Sequence, residues 1–568
     1  MRFIDSLKAL LDRVPLYPFL FLFPMLLFAH NSHAFLHAEF WGEDGPVWYA
    51  EARDLGVASL LHADGGYLNS VQRLAAIAAQ PFPLAWGPTL FVLFALCMQS
   101  APAIFLLSQR MANAWPDKLS RSMFALLFVL MPNAPETALN VTDSQWYLAI
   151  LAFLVLVSDA PKSKIAHLFD SAVLFISGLS GPFCVLFFPI GFLRVFRGDA
   201  VNRQARIWRV IILGITSCVQ ILLILGLSHA ERETGPLGAS AELLVKILAM
   251  VPLGATVGYT GIVALLQQSI FVGNSIPFLI AITGFLIFAI SFLRGPTILR
   301  EFIFFAAAMF ALALFKPLIS MSMPQWPMIL TPPAGNRYFL YPMLAWWGAL
   351  FVIASLKNLF VRGMALTLLA TTVIFAIPSD WGDLFKLPET DFVARAHQLD
   401  ASQRGTIVEL PVHPPSVKMR LAQNRDPLAS AEIAIDEHEL DLARSTKGLC
   451  SLDIVNGKVV SNKYLSANPL DVLSFTGWGV PGKKTKTTRA LLVLIGQSSH
   501  YAFSTSLGIF RPDVVANLNA PKALKSGYSS AISFDNIPMG NYSLNVLIAS
   551  QSTEELCDTG FRINVEPK

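Results

Sequence analysis

Trp41-Gly42-Glu43-Asp44-Gly45 sets two adjacent carboxylates in a short turn directly after the first apolar stretch of a strongly hydrophobic chain. Unpaired charges beside a bilayer are costly and tend to serve function. A carboxylate within hydrogen-bond reach of a hydroxyl can take its proton and make it a nucleophile. Glu43 and Asp44 are therefore candidates for general acid/base work. One of them can instead hold a divalent cation or orient an acceptor. The bland account is a turn that caps a helix over Pro46–Leu55, with Gly42 and Gly45 flanking the acids. A second constellation, Gly335-Asn336-Arg337-Tyr338-Phe339-Leu340-Tyr341-Pro342, places a cation where an outward loop enters a late apolar stretch. Arginine can grip a phosphodiester through two parallel hydrogen bonds, an interaction lysine matches poorly. Tyr338 and Tyr341 suit the depth of lipid headgroups, so a snorkelling arginine in an aromatic belt is the competing account. Lys316, at the outer end of the preceding stretch, would add a second positive charge.

Further polar groups share the same outward loops. His62, Asp64, Tyr67, Gln72 and Arg73 in the first loop can bind a sugar-like acceptor, although each alone reads more simply as a solvated surface residue. Asn140-Val141-Thr142-Asp143-Ser144-Gln145-Trp146-Tyr147 adds the acid Asp143 and the aromatic platform Trp146. His30, His33 and His37 share a helical face ahead of Glu39, a spacing that permits a metal site. The simpler reading is the polar mouth of a water-filled cavity, and no metal site is assigned. No glycine-rich nucleotide cradle follows a strand, so a soluble sugar-nucleotide donor has no visible site. No cofactor is called for, with a divalent cation left as an option.

These residues need a membrane to position them. The chain is 568 residues long, 54% hydrophobic and 14% charged, too apolar for an ordinary soluble protein. Its mean hydropathy is +0.55. Apolar runs recur until about Leu369, and about eleven of them read as membrane helices. The net charge is only +4, and the basic residues sit mainly in short connections, so nucleic acid is excluded as a partner. Arg2, Lys8 and Arg13 precede the first stretch. Arg110, Lys118 and Arg121 fall in the second connection, Lys162 and Lys164 in the fourth, Arg194 to Arg209 in the sixth, Arg294 and Arg300 in the eighth, and Lys357 and Arg362 in the tenth. The odd connections carry Glu39, Glu43, Asp44, Glu136 and Asp143 instead. The positive-inside rule then puts the N-terminus in the cytoplasm and the C-terminal region outside. The stretch Glu242–Leu266 is broken by Pro252, Gly254, Gly258 and Gly261, and reads as a re-entrant or interfacial helix pair on the outer face.

Composition changes beyond Pro378. Asp380, Asp383, Lys386, Glu389 and Asp391 mark an exit from the membrane, and Asp391–Ala401 reads as a linking helix. Alternating runs follow, such as Thr406–Leu410, Ala490–Leu494 and Tyr542–Leu547, at the spacing of an antiparallel β-sandwich. The expected organisation is a polytopic α-helical membrane domain over residues 1–378, with its first outward loop at about 37–83. A soluble domain over 379–568 follows, built from a linker helix and a β-sandwich. Cys97, Cys184 and Cys218 sit in apolar runs and read as small buried hydrophobes. Cys450 and Cys557 bracket the β-rich part and suggest one disulfide if that domain lies in an oxidising compartment, with two unpaired core thiols as the alternative.

On the acidic turn, the Arg337-Tyr338-Phe339-Leu340 run and the topology, the chain resembles GT-C superfamily glycosyltransferases, in general character the bacterial O-antigen glucosyltransferase-like membrane proteins. The resemblance implies an inverting hexosyltransferase of the bacterial inner membrane, with a polyprenyl-phosphate sugar as donor. The acceptor would be a surface glycan or its lipid-linked precursor on the periplasmic side. It further implies Asp44 as leading general base with Glu43 as partner, and Arg337, flanked by Tyr338 and Lys316, as the grip on donor phosphate. Many such enzymes separate the two acids by one residue, so here both acids stay candidates for the base. The series Gly477-Trp478-Gly479, Ala490–Leu494, Arg511-Pro512-Asp513-Val514-Val515, Ser526-Gly527-Tyr528 and Pro538–Tyr542 is similar to a β-sandwich module of bacterial surface-glycan glycosyltransferases, with Arg511 and Asp513 pairing inside the fold. The alternative is a non-enzymatic flippase or transporter, or a glycan-binding scaffold, for lipid-linked glycans.

Overall fold

Inside a bilayer every backbone amide must find its partner within the chain, and an apolar sequence meets that demand as helix. The computed structural model does so from Phe19 to Ser379. The structure describes residues 11, 13–197, 202–226, 234–268, 273–382, 388–415, 417–435, 437–444, 447–460, 462–551 and 553–567. The flanking charges Arg2, Lys8, Asp383 and Lys386 lie outside these residues. Among the described residues seven helices are long and apolar enough to cross a membrane: Leu84–Leu106, Arg203–Gly226, Ala241–Leu266, Ser275–Arg294, Thr297–Phe315, Asn336–Ala354 and Leu359–Ser379. Phe19–His30 and Ser144–Val157 are shorter apolar helices. The chain is a multi-pass membrane protein.

Two compact units divide the chain. The first comprises Met1–Ala38, Glu51–Ala79 and Pro88–Leu387. Ser144–Val157 is buried along its whole length and forms the centre of its core, against Phe187, Phe302, Phe305 and Tyr341. Cys184 is buried, as expected of a small hydrophobe, whereas Cys97 and Cys218 are exposed. Three of the basic residues are held in ion pairs. The Asp170 carboxylate accepts from Arg110 at 2.7 Å and from the buried Arg209 at 2.8 Å, and Arg194 pairs with Glu301 at 2.6 Å.

Ala241–Leu266, left out of the sequence-based spans, is a 26-residue helix in two halves that meet at Gly258. Its length and composition suit a span, while the break is the one its glycines foretell. Gly258 has φ +74° and ψ −176°, backbone open essentially to glycine alone. There the buried Asp380 accepts from the Tyr259 and Thr260 amides at 2.6 and 3.0 Å, and from the Asn133 amide at 2.9 Å. The acid read as marking the membrane exit is thus a cap on the second half-helix, where negative charge is favoured.

The second unit comprises Glu39–Ala50, Gln80–Gly87 and Pro388–Lys568. Two segments of the first loop therefore belong with the C-terminal residues and not with the membrane helices. Backbone pairing is the reason: the His413 amide donates to Phe40 O at 2.9 Å, and the Gly42 amide to His413 O at 2.6 Å. The linking helix runs over Phe392–Asp400. Beyond it, a five-stranded and a six-stranded sheet enclose one core containing Phe475, Tyr528 and Ile532 from the first and Leu492, Leu544 and Ile563 from the second. Within the smaller sheet, Val472–Val480 lies between Leu449–Val455 and Gly527–Ser533, antiparallel to both. A Cβ on Gly477 would stand 2.2 Å from Ser451 O, so the close approach of that strand requires glycine. Cys450 and Cys557 form a disulfide that ties the two sheets together. Arg511 pairs with Asp513 at 2.6 Å and with Asp453 at 2.5 Å, but Arg511 is only half-buried and Asp513 is exposed, so the pair lies at the surface of the fold.

Candidate functional site

Glu43 and Asp44 belong to the second unit, whereas Arg337, Tyr338, Lys316, His62, Tyr67, Gln72, Arg73, Asp143 and Trp146 belong to the first. In the second unit the acidic turn is shaped by its glycines. Gly42 has φ +52°, and a Cβ on Gly45 would meet Met419, Val412 and Phe40 at 2.9 to 3.2 Å. Instead of a helix beginning at Pro46, a π-helical turn covers Asp44–Tyr49, and an α-helix continues over Ala50–Leu55. The flanking glycines pull the helical start two residues forward, so that Asp44 opens it. Glu43, at the capping position, makes no side-chain capping bond. Asp44 is only 2% exposed, and Glu43 is half-buried. π-turns are rare and often accompany functional sites.

A third acid stands close by in the chain. Glu39 Oε1 accepts from the Thr390 hydroxyl at 2.7 Å, and Oε2 is buried without a hydrogen-bond partner. Burial pushes its carboxyl up to about 7, opposed by the Thr390 hydrogen bond and reinforced by Asp391 and Glu389. His413, 1% exposed, lies Nε2 to Pro388 O at 3.1 Å, and burial lowers its pKa. The spacing of Glu39 behind three histidines singles it out in the sequence, but its burial comes from residues some 350 positions away.

In the first unit Arg337 is already engaged. Its guanidinium lies 2.5 Å from Glu136 Oε1, donates to Leu318 O, and sits 5.1 Å from the centroid of the Tyr338 ring. Its backbone amide donates to Glu136 Oε2 at 3.0 Å. Sequence reading records Glu136 only as an outward acid; an acid in an apolar connection needs a cation, and that signal points to Arg337. The Tyr338 hydroxyl accepts from the Leu318 amide at 2.8 Å. Trp146 packs its ring 6.0 Å from Tyr338 and 5.3 Å from Tyr341. Tyr67 joins this group: burial pushes its hydroxyl up to about 12, Asp64 and Tyr338 add to the rise, and Arg337 and a hydrogen bond with Gln145 oppose it. Tyr67, Gln145, Trp146, Tyr338 and Arg337 therefore converge from three separate connections. Gln145 is the member sequence reading passes over.

The remaining candidates spread differently. Glu51 bridges His62 at 2.5 Å and Arg73 at 2.7 Å. Gln72 donates to Thr142 O at 3.0 Å. Gln72 and Arg73 are completely buried, so neither is a solvated surface residue; of the five first-loop candidates His62 is the exposed one. Asp143 is buried at the start of Ser144–Val157, its amide donating to Asn140 Oδ1 at 2.7 Å. Lys316 is exposed at the C-terminus of Thr297–Phe315, where a cation suits the helix dipole. His33 and His37 pack ring against ring at 4.5 Å, and His30 faces Trp381. Among the described residues no group of three or more His, Cys, Asp or Glu side chains is placed to hold a metal ion.

No protein-family model, curated protein or solved structure matches the chain.

Proposed function

We propose that the chain is a GT-C-type glycosyltransferase of the bacterial inner membrane, with about eleven spans, a cytoplasmic N-terminus and a periplasmic C-terminal domain. It moves a hexose, with inversion, from a polyprenyl-phosphate donor to a surface glycan or its lipid-linked precursor. The observation that carries this reading is Asp44, a carboxylate withdrawn from water at the head of a π-turn, beside a second acid not used as a cap. In this reading Asp44 takes the proton of the acceptor hydroxyl as the sugar's anomeric carbon leaves the donor phosphate, and Glu43 orients the acceptor. Arg337, paired with Glu136 and stacked near Tyr338, is assigned to the donor phosphate on its charge. Tyr67 meets the sugar in this reading, and Trp146, buried against Tyr338 and Tyr341, backs Tyr338.

The break at Gly258 favours a second reading, a transporter of lipid-linked glycans, because discontinuous helices mark substrate sites in transporters. Here the exposed amides of the half-helix are filled by Asp380, which leaves them no substrate to bind. The deciding experiment offers short polyprenyl-phosphate hexoses to the purified protein and to Asp44→Asn. Transfer, or slow donor hydrolysis, should fall by about 10²–10⁴-fold in the variant, the contribution of a general base. Undiminished turnover in folded Asp44→Asn would overturn the assignment, and saturable donor binding by both proteins without turnover would favour the transporter.

A further inference from the structure

Within the first unit a cavity of about 630 Å³ opens between the helices Lys118–Val129 and Leu359–Thr371. That volume lies inside the range of about 300–1,000 Å³ typical of ligand sites. Its inner wall is wholly apolar, with Ile150, Phe153, Phe302 and Leu344 buried and Leu299 packed over Gly348, where an added Cβ would stand 2.7 Å from it. Toward the mouth the lining becomes exposed, with Met123 at 45% and Leu366 at 47% on helices that face lipid. Water gains nothing in such a space, whereas a hydrocarbon chain entering sideways from the bilayer fills it without desolvating any polar group.

Polar residues of the lining gather at one end. Asp117, Ser120, Ser355 and Arg362 all come from the connections that carry Arg110, Lys118, Arg121, Lys357 and Arg362. Asp117 is used as a cap, accepting from the Ser120 amide at 3.2 Å. The helices Lys118–Val129, Thr297–Phe315 and Leu359–Thr371 all start at this end, adding the positive ends of three dipoles. Ser355 follows the last residue of Leu340–Ala354, the helix whose other end adjoins Arg337, about 22 Å away at 1.5 Å per residue.

We infer that this cavity is a binding site for one acyl chain of an anionic phospholipid, its phosphate held at Arg362. Anionic lipid is the occupant because the mouth lies on the basic side of the membrane part, where such headgroups are attracted. The site stands apart from the proposed donor grip at the opposite helix end and does not rest on that reading.

The test reconstitutes the full chain with phosphatidylglycerol bearing a photoreactive diazirine at the end of one acyl chain, and in parallel with the matching phosphatidylcholine. After irradiation, labelled peptides are mapped. Phosphatidylglycerol should label the Ile150–Leu154, Ile298–Phe302 and Leu344–Gly348 segments several-fold more than phosphatidylcholine. Arg362→Gln should bring the two lipids level, and Leu366→Trp, at an exposed position that tolerates bulk, should lower both. Label spread over outward residues such as Phe285 and Leu222 without enrichment at these walls would overturn the proposal. So would equal labelling by the two lipids in the unaltered protein. Displacement by short polyprenyl phosphate but not by unlabelled phosphatidylglycerol would assign the cavity to the sugar donor and overturn it as well.

Discussion

Replacing Gly258 by alanine tests whether the broken helix is held by the Asp380 carboxylate. An added Cβ would stand 2.5 Å from Asp380 Oδ2 and 2.9 Å from its Cγ, so the carboxylate must move. It would then give up one of its hydrogen bonds from the Asn133, Tyr259 and Thr260 amides, worth about 1.5–3 kcal/mol when one partner is charged. The backbone at φ +74° and ψ −176° adds about 1–3 kcal/mol for any residue with a Cβ. Gly258→Ala should therefore cost about 3–6 kcal/mol in equilibrium unfolding in mixed detergent. In an Asp380→Ala background the carboxylate is absent, and the same change should cost only the backbone component, about 1–3 kcal/mol. The cycle is thus less than additive by about 2–3 kcal/mol, as for residues in direct contact. Equal costs of Gly258→Ala in the two backgrounds would refute the argument.

Glu39 holds its proton more tightly folded, with a pKa of about 7, than at its ordinary value of 4.5. Folding therefore takes up a proton, and this group's contribution to stability falls as pH rises from 4.5 to about 7, by at most about 3 kcal/mol at 1.36 kcal/mol per pH unit. Glu39→Gln should flatten the dependence of Tm on pH across that window, and an unchanged slope would count against the burial argument. Cys450→Ser with Cys557→Ser should lower the stability of the second unit by about 2–4 kcal/mol, read as a shift in its unfolding transition. Asp170→Asn strips a carboxylate from between Arg110 and Arg209 and should cost about 3–5 kcal/mol, whereas Asp441→Asn at an exposed pair should cost less than about 1 kcal/mol. Similar losses in those two variants would show that burial does not govern these pairs.

Long apolar runs and alternating strands were legible because their periods are local properties of the chain. The linking helix, the strands around Ile407–Pro411 and Arg489–Ile495, and the helix break at Gly258 follow from residues near one another in sequence. What could not be read were partners chosen by tertiary packing. Glu136 is some 200 residues from Arg337, and nothing local to Asp380 says that its carboxylate caps residues 259 and 260. Arg73 and Gln72 look like surface residues until the packing around Glu51 and Thr142 encloses them. The turn at Asp44 is intermediate: its glycines announce a sharp bend, but not that the bend is π-helical.

The pairing of Phe40 and Gly42 with His413 fixes an order of events during synthesis. The acidic turn leaves the ribosome before the seven long apolar helices, and the backbone that completes its pairing after them. Contacts so distant in sequence close late, because the intervening loop must first be ordered. A chain released early, anywhere before His413, would carry Glu43 and Asp44 on a turn without its backbone partner. Translation past His413 thereby becomes a condition for the final shape of the turn.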